Sequence, residues 1–224
     1  DDIWFPDKLE LQVQAINQFP KSILIYSEFQ SWFPNDNGIY SKGFDNEIVN
    51  DRDIQVYSNW MYHKQLLTNW VLTSTSLIAT HAIKEIGTFN ETYPVAEDWD
   101  FFIRLSRIGV FTKVDCPLTL YRQSSTSLTV TVKNIDFASQ VIKNSISQFG
   151  YDSPNGESVD MQEFQKRNFK RHFNYGLAAH KQKWHRRAAR SFFESLKVKH
   201  FNIKSWLFLT MNIGLIVFDF KGKN

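Results

Sequence analysis

Over roughly the first 130 residues, short runs rich in β-branched and aromatic residues alternate with segments of helical apolar spacing. That alternation restricts the body of the chain to an α/β architecture. "SILIYSEF" reads as a buried strand, and "VFTKVD" and "LTLYRQ", separated by Cys116-Pro117, read as two more. "FPDKLELQVQAINQFP" carries Pro6 near a helix start and apolar Leu9, Val13 and Ile16 at helical spacing, and it stops before Pro20. "SLIATHAIKEIGTF" predicts a strand running into a short helix closed by Gly87 in a left-handed conformation. "EDWDFFIRLSRIG" predicts a second helix, opened by Asp98 or Asp100, stopped by Gly109, with Trp99, Phe102 and Ile103 on its apolar face. The stretch from Gln30 to about Asn59, with "PNDNG", predicts a long loop of the kind that serves binding sites. From about Asn134 onward the spacing is helical throughout.

A chain of 224 residues that is 42% hydrophobic and 16% aromatic can bury a sizeable core, which suits one domain with an appendage. The division predicted is 1–132 for the α/β body and 133–224 for a helical extension. Charge divides in the same way. Residues 161–224 hold 14 Lys and Arg against 3 Asp and Glu, and residues 1–160 hold 12 against 20. A basic tail on an acidic body suits an anionic membrane, a nucleic acid or an acidic partner, and equally a solvated helical face. No nucleic-acid motif accompanies the charge, so no nucleic-acid partner is expected. "WLFLTMNIGLIVF" is apolar, but its 13 residues fall short of the ~20 a spanning helix needs, which leaves an interfacial helix or a core-packed one. Cys116, alone, can form no internal disulfide, and the default compartment is a reducing cytoplasm. The closest of the six histidines, His180 and His185, bring no helper ligands for zinc. The chain does not begin with Met, from which processing or excision from a longer protein is expected.

Carboxylates concentrate in two places. Asp1 and Asp2 offer adjacent hard oxygens of the kind Mg²⁺ or Mn²⁺ takes, although two acids before a helix also serve to cap it. Glu97, Asp98 and Asp100 crowd the start of a helix. Neighbouring carboxylates in a partly apolar setting can have one pKa raised, which suits a general base, and capping again accounts for the same residues.

Taken in order, "DDIWFPDKLELQ", "ILIYSEF", "IGTFNE", "EDWDFFIRL" and "PLTLYR" resemble the family 2 glycosyltransferases of GT-A fold, enzymes that move a sugar from a nucleotide diphosphate to an acceptor hydroxyl, usually with inversion. The resemblance covers residues 1 to about 130. It implies that Asp1 and Asp2 are the second aspartate and the following acid of a metal-binding DxD-type motif, with the nucleoside-binding strands upstream, so that the chain is a partial GT-A domain with a helical C-terminal extension. It also implies that Asp98 is the catalytic base, that Glu97 and Trp99 face the acceptor, and that Arg122 contacts the donor diphosphate. Arg104 is expected in an internal salt bridge. Ser124 stands where many members have a metal-holding histidine, which weakens the expectation of a divalent metal.

The partners so implied are a nucleotide-diphospho-sugar donor and a glycan or lipid-linked acceptor. Family 2 enzymes often build envelope glycans at the inner face of the cytoplasmic membrane, a setting that the basic tail fits through peripheral contact with anionic lipid. The alternative is a non-catalytic, truncated transferase acting as a glycan- or membrane-binding module.

Overall fold

The computed structural model describes residues 2–41, 54–124 and 132–221. The chain divides into two compact units, one of Asp1–Val130 with Phe149–Ser158 and the other of Thr131–Gln148 with Val159–Asn224.

The first unit is built on a five-stranded sheet: β1 (Ile3–Trp4), β2 (Ser22–Trp32), β3 (Val56–Asn59), β4 (Leu77–Ile78) and β5 (Val110–Arg122). Strands β2 and β5 run parallel from Ser22 and Val110 to Trp32 and Arg122, while β1 and β3 add antiparallel to β5, and β4 to β2. A parallel pair needs a long crossover. Here it is supplied by α2 (Tyr62–Gln65), a 3-10 turn (Thr73–Thr75), α3 (Thr80–Ile86) and α4 (Glu97–Leu105).

Both faces of the sheet are covered. Leu24, Tyr26 and Phe111 pack with Phe101, Phe102 and Leu105 of α4, and Ile25, Val114, Cys116 and Leu118 pack on the opposite face with Ala15 of α1 (Lys8–Gln18). The period-2 alternation of strand side chains produces this division. Each fully buried large apolar side chain among them contributes about 1.5–3 kcal/mol.

Four expectations change. The inward face of α1 is Lys8, Gln12 and Ala15, while Leu9 and Val13 are 49% and 48% exposed. Polar partners decide the matter: Lys8 Nζ donates to Gln12 Oε1 at 2.7 Å, and Gln12 Nε2 donates to the Thr75 carbonyl at 2.8 Å. "VFTKVD" and "LTLYRQ" form one strand rather than two, since register shifts around the Glu28–Pro117 pair absorb the proline's lost donor. Val56–Asn59, read as loop, is a strand on β5. Gly109 does not stop α4, which ends at Leu105; a Cβ there would meet Ile23 Cγ2 at 2.7 Å, so close approach of the chains selects glycine. Gly87 does end α3 in the left-handed region, at φ 81°.

The segment Phe149–Ser158 is tied to this unit by Tyr62 Oη donating to Gly150 O (2.7 Å), by Arg107 Nη1 donating to Asp152 O (2.5 Å), and by the Arg107 guanidinium over the rings of Tyr62 and Phe149.

The second unit is helical: α5 (Phe137–Phe149, whose last residue belongs to the first unit), α6 (Met161–Lys181), α7 (His185–Val198) and α8 (Ile203–Lys221). Asp160 caps α6 by accepting from the backbone N–H groups of Gln162 and Glu163. Its core is Ala179, Ala188, Phe192, Leu196 and Leu209, with the Phe192 and Phe208 rings stacked at 5.2 Å. The outer side of α8 shows Trp206, Leu207, Ile213, Val217 and Phe218 to solvent. Among the described residues no helix is long and apolar enough to cross a membrane.

Candidate active site

Asp98 lies in the first turn of α4, which starts abruptly because Ala96 takes a left-handed conformation (φ 65°, ψ 17°), a strained choice for a residue with a Cβ. The N-cap residue, Ala96, makes no side-chain hydrogen bond to the helix, and a first-turn N–H is taken instead by Asp98. Asp98 Oδ1 accepts from the backbone N–H of Trp99 at 2.7 Å, and Oδ2 accepts from Asn69 Nδ2 at 2.9 Å. Burial pushes its carboxyl pKa above the ordinary value; the Trp99 and Asn69 hydrogen bonds pull it down, Glu97 pushes it up, and the outcome is upward.

The neighbouring groups have other partners. Asp100 is paired with Arg104 Nε at 2.8 Å, and the same guanidinium donates to the carbonyls of Ile86 and Thr88, fastening α4 to the end of α3. Arg104 thus has the internal pairing expected of it. Trp99 Nε1 donates to the Gln65 carbonyl at 2.7 Å, which anchors α4 on α2.

Asp2 is held from two directions, Oδ1 accepting from the Arg122 backbone N–H at 2.9 Å and Oδ2 from the Ser74 hydroxyl. Asp1 lies outside the described residues. Arg122, the last residue of β5, places its guanidinium 4.3 Å from the Tyr40 ring centroid; Tyr40 meets Trp32 edge-on at 4.7 Å, and its hydroxyl donates to Gln123 O at 2.5 Å. Asp2, Arg122, Trp32 and Tyr40 therefore gather at the C-terminal ends of the parallel strands, where α/β sheets place their ligands. Ser124 follows two residues beyond β5. Among the described residues no three His, Cys, Asp or Glu side chains converge as a metal site.

One segment serves both carboxylates. Asn69 holds Asp98, and Ser74 holds Asp2. Five residues of chain span at most about 18 Å, which bounds the separation of those two anchor points. Asn69 and Ser74 escaped the sequence reading, as no local spacing announces a contact across 29 or 72 residues.

Residues 1–169 match the family model described as glycosyltransferase-like family 2. The chain belongs to that family. An uncharacterised glycosyltransferase of Rickettsia conorii is 26% identical over 111 residues, which is 49% of this chain and 17% of the relative. One from Rickettsia typhi is 23% identical over 111 residues, 49% of this chain and 33% of the relative. The matched region is thus a third or less of these relatives' length. The family 2 match extends beyond β5 into α6, farther than the motifs "IGTFNE", "EDWDFFIRL" and "PLTLYR" reach by themselves.

Proposed function

We propose that this chain carries the acceptor-activating part of a glycosyltransferase that moves a sugar from a nucleotide diphosphate to an acceptor hydroxyl with inversion. Asp98 is the base. The single observation that carries the reading is its carboxylate, oriented by the Trp99 N–H and Asn69 amide and raised in proton affinity by burial. A base so fixed takes the proton of an acceptor hydroxyl in line with departure of the diphosphate. Glu97, beside it, keeps its proton affinity up and faces the acceptor with Trp99. Arg122, at the end of β5 with its backbone N–H on Asp2, serves the donor diphosphate.

Mg²⁺ is commonly held by one or two carboxylates plus substrate phosphates, and Asp2, with a further lone pair on each hydrogen-bonded oxygen, suits so sparse a donor set. Asp1 and Asp2 would hold the cation, which neutralises charge on the departing diphosphate.

The setting we propose is envelope or surface glycan synthesis at the cytoplasmic face of the membrane. The cationic sequence of residues 161–224 and the apolar side chains exposed on α8 support contact with anionic lipid there. The same surface favours the second reading, a non-catalytic binding module.

The two readings part on Asp98→Asn in the full-length protein. Transfer is expected to be abolished while calorimetric binding of nucleotide-sugar stays within about tenfold, since the base and not the phosphate site is removed. Near-normal turnover in that variant overturns the assignment.

A further inference from the structure

If Asp98 is the base, the reacting hydroxyl comes within about 2.6–3.2 Å of it, and the rest of the acceptor rests on the surface nearby. Trp70 is tied into the hydrogen bonds that hold that carboxylate. It directly follows Asn69, and its backbone N–H donates to Gln65 Oε1 at 3.3 Å. The Gln65 carbonyl receives the Trp99 indole, and Trp99 and Asn69 both donate to Asp98. These bonds and the chain itself close a circuit, Asp98–Asn69–Trp70–Gln65–Trp99, so the position of Trp70 is fixed relative to the carboxylate.

The Trp70 side chain is fixed as well. Its Nε1 donates to the Lys64 carbonyl at 3.1 Å, yet 47% of the residue is exposed. An indole whose one polar group is already satisfied offers solvent an apolar aromatic surface and nothing else. Leaving that much of a tryptophan in water forgoes a large part of its burial energy. Trp99, whose indole N–H is held by the neighbouring carbonyl, is less exposed and offers a smaller surface.

We propose that Trp70 is the stacking platform of the acceptor subsite, taking the C–H face of a pyranose ring whose hydroxyl is presented to Asp98. This rests on the reading of Asp98 as base. It assigns the acceptor class, a pyranoside, and a residue for it that the motifs do not mark.

The test uses the full-length protein with ¹⁵N-labelled tryptophan indoles. The Trp70 resonance is identified by its absence in Trp70→Phe, and the probes are the methyl glycosides of glucose, galactose, mannose and rhamnose at millimolar concentration. At least one glycoside is expected to shift the Trp70 resonance saturably while the Trp206 resonance stays put. Trp70→Ala should weaken that glycoside's binding at least tenfold and Trp70→Phe by no more than about threefold. If no glycoside moves Trp70, or if Trp70→Ala binds like the parent, the proposal is overturned. Normal transfer by Asp98→Asn would instead remove the base reading, leaving the glycoside result to stand or fall by itself.

Discussion

The two units treat their internal polar groups differently. In the helical unit, the internal carboxylate Asp136 accepts from the Ser139 N–H and hydroxyl and also faces His172 Nδ1 at 3.8 Å, while Ser195 Oγ donates to Ser205 Oγ at 2.9 Å and His180 and His185 both reach Asn212 Oδ1, at 3.0 and 2.9 Å. In the sheet unit, three ionisable groups are held by neutral ones alone. Asn69 and a backbone N–H hold Asp98, Ser74 and a backbone N–H hold Asp2, and Gln12 holds Lys8. Among the described residues none of these three is ion-paired, whereas Asp100 of the same helix is neutralised by Arg104. A carboxylate tied to a cation has its charge spent, while one oriented by neutral donors keeps the capacity to take a proton or bind a cation. On the proposed reading, the contrast between Asp98 and Asp100, two residues apart, separates the base from a structural ion pair.

Loss of the Asp98 carboxylate in the sheet unit costs the most activity. Asp98→Asn is expected to lower kcat/KM by about 10³-fold, within the range for loss of a general base. It should also remove a pH-dependent contribution to the stability of the fold. A carboxyl raised in the folded state binds protons there that the unfolded chain has released, so its contribution to stability falls as pH rises through that window and is unfavourable above it. Urea unfolding of the parent and Asp98→Asn from about pH 3.5 to pH 7 checks the sign.

On the helical side, Phe192→Ala is expected to cost about 3–5 kcal/mol, because Phe192 is fully buried among Phe173, Phe208 and Ala179. Nucleotide-sugar binding by calorimetry should be unchanged, and a parallel loss of binding would contradict the separation of roles. Asn69→Ala sharpens the contrast further. Removing a donor to the carboxylate raises the Asp98 pKa, so the acid limb of the pH–rate profile should move to higher pH, with about a tenfold fall in kcat at neutral pH.

The smallest effect is at Lys8, whose pKa burial pushes down to about 8. Between about 8 and the unfolded value near 10.4 the unfolded chain holds more protons, so stability from this group rises with pH across that window. Lys8→Met should abolish the rise, as thermal melts at pH 7.5 and pH 10 would register.

The alternation of strands and helices, the position of α4 and the Glu97–Asp98 pair were legible because each is announced within about a dozen residues. What escaped depends on distant partners. Helical spacing put Leu9 and Val13 inside, but the Thr75 carbonyl, 63 residues away from Gln12, draws the polar face of α1 inward instead. Pro117 reads as a strand break until the shifted register with Glu28 accommodates it. Val56–Asn59 is too short to signal a strand without β5 beside it. At the site, Asn69, Ser74 and Trp70 sit in "TNWVLTSTS", a stretch with no periodicity, and only the crossover between the parallel strands brings them to the carboxylates.

A ¹³C NMR titration of the Asp98 carboxyl in the full-length protein, set beside the acid limb of kcat/KM, decides whether Asp98 is the base. A midpoint above the ordinary aspartate value of about 3.9 that coincides with that limb is the predicted result. A midpoint at or below that value, or an acid limb that persists in Asp98→Asn, would show that Asp98 is not the base.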